Sequence, residues 1–452
     1  MRLEPTGVDV RHVRDVLATG SRAAAQDLVW LSPSELAEVL LQLDAVELAT
    51  LDLALGPDRL ADAVAQLDPS EAAELLIRFS RAAAADILEE MEPDDATDVV
   101  DELKQSEAED ILAQMEAEEA KEIRDLLTYP SDTAGGRMTP EYVAIGPDLT
   151  VAAAMRLLRT QAPSAETIYY VYVTEPEGRL LGVVSLRDLV VADPLSRIGD
   201  IMRTQVLSVP ADADQELAAG VLTENDLLAL PVVDEGGHLI GVITADDVAD
   251  VLEEEATEDI ERLGGSQPLD VPYLRATIVQ MARKRIGWLL ILFVAEAYTG
   301  TVLRHFEDTM AAVVSLTFFI PLLIGTGGNV GSQITTTLTR ALAVGDVRLR
   351  DLLRVLRKEL CTGVIVGVIM GSVSFVRAVT LGVEPPVRIV VAVSALAIVL
   401  WASAVAAVLP LILRRFRIDP AVVSAPFIAT LVDGTGLMIY FTVADRLMGL
   451  NA

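Results

Sequence analysis

Asp433 stands in the middle of the last apolar stretch of the chain, inside the tract Ala429–Gly436 (Ala-Thr-Leu-Val-Asp-Gly-Thr-Gly). No other charge lies between Asp419 and Val443. A carboxylate at bilayer depth is expensive, and groups of this kind mark the paths of ions or protons. A second concentration of acids runs from Asp246 to Glu261. On a helix, Asp247, Asp250 and Glu254 share one face, as do Glu255, Glu258 and Asp259. Each like-charged pair there costs a few tenths of a kcal/mol. Such a face either keeps the helix in water or holds divalent cations, because hard cations select clustered carboxylate oxygens. Its position, leading into a basic and then apolar half, favours cations. Enzymatic chemistry has little to stand on: His12, His238 and His305 are scattered, and the glycine tract at 325–329 lacks the lysine of a phosphate-cradling loop.

These acids need two different solvents around them. Up to Asp270 the chain holds 57 Asp+Glu against 18 Lys+Arg; beyond it the counts are 10 against 17, within a formal net charge of -32. The acidic half repels nucleic acid and attracts cations. The second half carries five apolar segments, roughly Ile286–Val302, Met310–Thr326, Leu360–Val376, Ile389–Leu413 and Ala421–Val443. Each can cross a hydrocarbon core of about 30 Å. Basic residues concentrate before the first segment (Arg283, Lys284, Arg285), between the second and third (Arg348 to Lys358), and between the fourth and fifth (Arg414, Arg415, Arg417). Positive loops stay in the cytoplasm, which predicts a cytoplasmic N-terminus, an outside C-terminus and an acidic half in the cytosol. The N-terminus shows no apolar signal segment, in keeping with this. The single cysteine, Cys361, reads as a small buried apolar residue and excludes an intrachain disulfide.

The elements that position the acids are legible in repeats. Leu31, Leu43, Leu55, Leu67, Phe79, Met91, Leu103 and Met115 recur at twelve-residue intervals. Ser32-Pro33 and Asp68-Pro69 read as helix starts, a cap followed by proline in the first turn. Residues 1–130 therefore read as an all-α superhelical array of short helices, stable only as a stack. Its acids Asp94, Asp95 and Asp98 read first as a solvated helix face. From 131 the pattern changes to β-branched runs: strands over Thr167–Val173 and Arg179–Ser185, a helix from Leu186, then Leu230–Asp234, His238–Thr244 and a helix from Ala245. The copies share Gly-Val-Val-Ser-Leu-Arg-Asp (182–188) and Gly-Val-Ile-Thr-Ala-Asp-Asp (241–247). This doubled motif resembles a tandem pair of CBS domains, an α/β fold. The resemblance implies a candidate adenine-nucleotide (ATP) site at Tyr170, Arg187 and Asp188.

In this order, an acidic helical array (1–130), a CBS pair (131–250), an acidic connecting helix (251–274) and five spans (275–452) resemble the MgtE family of magnesium channels. The most specific tracts are Pro321–Gln333 (Pro-Leu-Leu-Ile-Gly-Thr-Gly-Gly-Asn-Val-Gly-Ser-Gln), Asp419–Pro426 and Thr430–Gly436. The tract Glu253–Ile260 resembles the family's plug helix. The resemblance implies a multidomain homodimer embedded in the lipid bilayer of the plasma membrane. It also implies a pore on the dimer axis, with Asp433 as the pore carboxylate binding hydrated magnesium, which sheds water reluctantly. Gly325, Gly327, Gly328, Gly434 and Gly436 would then turn backbone carbonyls to the pore, or alternatively serve close helix packing.

The family also implies a gate. Cytosolic magnesium would bridge Asp62, Asp94 and Asp98 of the array, Asp214, Asp226 and Asp247 of the CBS pair, and Asp250, Glu255, Glu258 and Asp259 of the plug. A like-charged pair at 4 Å is worth about 4 kcal/mol at an effective dielectric of 20. Moving a gate from 1:99 to 99:1 takes about 5.5 kcal/mol, so a few bridged pairs suffice. One departure is Ala425, where some relatives carry asparagine, which puts a secondary ion site at Asp419 in question. Glu296 and Glu359 are further intramembrane acids that either line the ion path or pack. Two other readings stand beside the channel: an ion-coupled carrier using Asp433 and Glu296 as a relay, and a membrane-bound sensor of magnesium and nucleotide. The sensor gives Asp433 no purpose.

Overall fold

The structure, a computed structural model, describes residues 13, 14, 16, 28, 30–161, 165–269, 271, 273–343, 345–416 and 425–450. It divides into two compact units, Met1–Glu253 and Glu254–Ala452. In the first, short helices follow one another as the twelve-residue frame requires: α1 (Pro33–Leu40), α2 (Ala45–Leu55), α3 (Pro57–Val64), α4 (Pro69–Leu76), α5 (Arg81–Glu89), α6 (Pro93–Asp101), α7 (Gln105–Leu112) and α8 (Glu119–Leu126). Ser32 caps α1 and Asp44 caps α2, each reciprocated by a glutamate three residues on, Glu35 and Glu47. Asp68 departs from the expectation, since its side chain makes no cap bond to α4, where Pro69 already removes one donor. Every residue of the twelve-residue frame lies in one apolar cluster or packs against it. No one helix buries enough surface to stand alone, so the shared cluster holds the array together.

The CBS region contains two like sheets. In one, β1 (Ala144–Ile145) pairs parallel with β2 (Tyr170–Thr174), which pairs antiparallel with β3 (Leu180–Ser185). The other repeats this with β4 (Val209–Pro210), β5 (Ala229–Val233) and β6 (Leu239–Thr244). The hairpin turns place Gly178 and Gly237 at φ +89° and +79°, a conformation glycine adopts without strain. Those turns meet: Leu180 N–H donates to Gly237 O at 3.1 Å and Leu239 N–H to Gly178 O at 3.0 Å. Around the sheets lie α9 (Val151–Gln161), α10 (Leu186–Val191), α11 (Ile198–Ile201) and α12 (Gln215–Glu224). From β6 the chain enters α13 (Ala245–Leu263), so the acidic tract is one unbroken helix.

Five helices of the second unit are long and apolar enough to cross a membrane. They are α14 (Ile278–His305), α16 (Ile320–Ala343, preceded by a 3-10 turn from Val314), α17 (Leu352–Thr380), α18 (Pro385–Arg415) and α19 (Ala425–Met448), with the short α15 (Glu307–Ala312) after the first. α16, α18 and α19 pack on one another, α17 packs on α18, and α14 on α19. The second span lies further along than its apolar content suggests: it runs to Ala343 rather than ending near Thr326. The glycine tract 325–331 therefore sits mid-helix, where helical bonding occupies the backbone carbonyls that the sequence reading turns to a pore. Packing explains Gly327, Gly331 and Gly434, whereas a Cβ on Gly325 would meet nothing within 4 Å. A Cβ on Gly327 would stand 2.7 Å from Ile398, one on Gly331 2.6 Å from Ile428, and one on Gly434 2.5 Å from Tyr298. The same device joins α17 to α18 through Gly363, Gly367 and Gly371. Cys361 lies off that stripe and is exposed, contrary to its reading as a buried residue.

Candidate functional site

Three chain segments bring carboxylates together in the first unit. Glu92 and Asp94 flank Pro93 at the start of α6. Glu166 lies just before β2, its N–H donating to Glu141 O at 3.1 Å. Asp246 and Asp247 form the first turn of α13, and Asp247 accepts from the Thr244 backbone N–H at 3.2 Å and from its hydroxyl. One oxygen each of Glu92, Asp94 and Glu166 lies within 4.8 Å of the others, and so do those of Glu166, Asp246 and Asp247. Asp94 is only 7% exposed, which corrects its reading as part of a solvated face. The helix start points it inward, and apolar Ala96, Val99 and Val100 fix that orientation. Asp94 Oδ1 and Glu166 Oε2 are buried with no protein donor.

Such crowding shifts acidities upward. Burial, and next the charge of Asp247, hold Asp94 well above the usual carboxylate range. Burial with Glu92 and Asp247 pushes Asp95 to about 7. Burial with Asp247 pushes Glu166 to about 8, against bonds from Thr244 and Thr139. Burial raises Asp247 too, opposed by its bonds from Thr244. Glu141 reaches about 7 through burial and the field of Glu122. Buried, mutually repelling oxygens without donors are what a hard cation satisfies, so these residues fit magnesium.

The other acids singled out by sequence are placed differently. Asp98 pairs with Arg137 at 2.9 Å, and Arg137 also donates to Gln215 at 2.9 Å, bracing the array against the CBS region. Asp62 is exposed beside Arg59 at 3.6 Å, yet its charge reaches Glu92. Asp214 caps α12, accepting from Glu216 N–H at 2.9 Å. Asp226 is exposed in a left-handed turn at φ 52°. Asp250 is exposed on α13, near enough to Arg137 to feel its charge. Glu255, Glu258 and Asp259 follow on α13, partly buried, with Glu258 paired to Arg262. None of these joins the two carboxylate trios among the described residues. Asp419 lies outside the described residues. Sequence reasoning missed Glu92, Glu141 and Glu166. The available signal was an acid at the entrance to an otherwise apolar and aromatic strand, in Ala165-Glu166-Thr167.

The nucleotide candidates gather at a cavity of about 500 Å³ lined by Tyr169, Tyr170, Ser185, Arg187 and Leu228. Asp188 adjoins it in the first turn of α10, donating its N–H to Ser185 Oγ at 3.0 Å and lying 3.9 Å from Arg203. A second cavity, about 250 Å³, shares Tyr170 and Ser185 and adds Tyr172 and Arg203. Aromatic faces and one guanidinium in each of two adjoining cavities, with the Asp188 carboxylate nearby, suit a base, phosphates and a ribose.

In the second unit, Asp433 is half-buried on α19 and faces Gly328 of α16: a Cβ there would be 3.6 Å from Asp433 Oδ1. Glu296 of α14, exposed, is its charged neighbour. Two residues along α19, Thr435 Oγ1 accepts from Trp401 Nε1–H at 2.8 Å. Glu359 is partly buried on α17.

Comparison with known proteins matches the order of the domains. Residues 320–443 match a family described as a divalent cation transporter, 31–132 the MgtE intracellular N domain, and 134–194 and 198–254 the CBS domain. The magnesium transporter MgtE of Thermus thermophilus is 48% identical over 323 residues, covering 72% of each chain. That of Enterococcus faecalis is 37% identical over 325 residues, covering 72% of this chain and 71% of its own. Among solved structures, the soluble part of a magnesium transporter aligns with TM-score 0.51 and 38% identity, over 54% of this chain and 98% of its own. The cytosolic domain of the Mg2+ channel MgtE in complex with ATP aligns with TM-score 0.51 and 37% identity, over 54% of this chain and 99% of its own. The family matches and the 48% and 37% identical relatives place the chain in the MgtE family of transporters, and its five long apolar helices make it a multi-pass membrane protein, not an enzyme.

Proposed function

We propose that this protein is a magnesium channel of the plasma membrane, working as a homodimer and closed by cytosolic magnesium. The observation that carries the reading is Asp433, a carboxylate on the apolar helix α19 set against Gly328 of α16. Paired by symmetry with its copy, it would hold a magnesium ion through retained waters, since magnesium is commonly bound by one or two carboxylates with part of its hydration intact. The charge distribution of the loops supports a cytoplasmic acidic half.

Closure follows from the acid cluster. With cytosolic magnesium scarce, Asp94, Glu166 and Asp247 repel and the array separates from the CBS pair. With magnesium plentiful, the ions replace the missing donors, draw α6 onto the start of α13, and set the position of the rest of that helix. Asp62, Asp98, Asp214, Asp226, Asp250, Glu255, Glu258 and Asp259 would supply further, more exposed sites. ATP in the Tyr170–Arg187–Asp188 cavity would stiffen the same CBS unit and ease closure. The nearness of Glu296 to Asp433 keeps one alternative, a carrier that couples magnesium to protons. Uptake of magnesium into liposomes separates these readings. A channel passes magnesium down its gradient at any proton gradient and loses at least about a hundredfold in flux with Asp433→Asn; uptake that requires an imposed proton gradient supports the carrier.

A further inference from the structure

Glu166 belongs to both carboxylate trios. One oxygen of it lies within 4.8 Å of ligand oxygens of Glu92 and Asp94, and one lies within 4.8 Å of those of Asp246 and Asp247. Opposite ligands of an octahedral magnesium ion stand about 4.2 Å apart, from Mg–O bonds of about 2.1 Å, so each trio has the span to close on one ion. Burial argues that both close. Asp94 is 7% exposed with Oδ1 lacking any donor, and Glu166 Oε2 is equally without one. An ion in the second trio alone would leave Asp94 Oδ1 buried without a partner, and an ion in the first alone would leave Asp246 and Asp247 crowded against Glu166.

We propose that Glu166 is a bridging ligand shared by two divalent cations, one held with Glu92 and Asp94 and the other with Asp246 and Asp247. This rests on the reading of the cluster as a cation sensor and adds its stoichiometry and its central residue. The bridge gives closure a built-in cooperativity. The first ion orients Glu166 and lowers the repulsion that the second must overcome, and the pair ties the helical array to both CBS copies through one side chain. Carboxylate-bridged ions in two-metal sites stand about 3.5–4 Å apart, close enough for paramagnetic ions to couple.

The test uses the full chain in detergent micelles with Mn2+ alone as the probe. Electron paramagnetic resonance of the wild type should show an exchange-coupled Mn2+ pair. Glu166→Gln should abolish the coupled signal and lower the bound Mn2+ by at least one per chain. Asp246→Asn, which leaves the buried trio intact, should also abolish the coupling while one uncoupled ion remains. Only isolated Mn2+ spectra in the wild type, or coupling that survives Glu166→Gln, would overturn the bridge. The gating reading is judged separately by flux. If Asp247→Asn prevents closure by internal magnesium but no coupled pair is found, the sensor stands and the bridge falls. If the pair is found but closure is unchanged in Asp247→Asn, the bridge stands and the sensor falls.

Discussion

The two carboxylate sites of this molecule are built in opposite ways. The membrane unit sets one acid on a helix with no other charge from Ala425 to Val443, against a glycine and with Glu296 of another helix as its charged neighbour. The first unit gathers acids from three segments separated by some seventy to eighty residues, and buries part of them without donors. An isolated acid suits passage, because an ion held by few charges can leave again. A crowded pocket suits sensing, because its stability depends on whether ions are present. Under the proposed function, the difference means that one chemistry, carboxylate and hydrated magnesium, would serve flow or detection according to how many charges surround the ion.

Substitution should break this contrast cleanly. Asp94→Asn is expected to leave unitary conductance unchanged and to raise the cytosolic magnesium needed for half-closure about tenfold or more, read from current against internal concentration. Equal loss of conductance would erase the distinction between the sites. Titration sharpens it next. Asp95, Glu141 and Glu166 have folded-state pKa values raised to about 7, 7 and 8, above their unfolded values. Protons therefore bind the folded unit more tightly, so without magnesium stability falls as pH rises through 7 to 8 and is recovered toward pH 5. The melting temperature of the magnesium-free protein should be several degrees higher at pH 6 than at pH 8.5, and millimolar magnesium should remove most of that gap. A smaller effect is expected at the nucleotide cavity: Tyr170→Ala should weaken ATP binding about tenfold by calorimetry, consistent with about 1–3 kcal/mol for one aromatic–base stack.

Legibility in the sequence followed the same divide. Asp433 was visible because a charge in an apolar run stands out in one dimension, and the twelve-residue frame and doubled strand motif were visible because they repeat. Asp94 was legible as an acid but not as a buried one, since its neighbours in sequence alternate acid and apolar as any surface helix does. Glu166 was not legible, because its partners lie at 94 and 247 and only the fold joins them. The glycines at 327, 328 and 331 drew attention, yet whether they face a pore or a helix is decided by Ile398, Val432 and Ile428 on other segments. Cys361 went astray for a related reason: a helix that buries only its glycine stripe leaves most of its residues outward.

The central claim, that a lone membrane acid carries the ion while a cytosolic acid cluster decides when it may pass, is met most directly by single-channel recording from excised patches. Internal magnesium would be titrated for the wild type, Asp433→Asn and Asp247→Asn. The account predicts wild-type currents that close as internal magnesium reaches the millimolar range, no current with Asp433→Asn, and currents with Asp247→Asn of full amplitude that stay open. Full-amplitude currents in Asp433→Asn, or normal closure in Asp247→Asn, would contradict it.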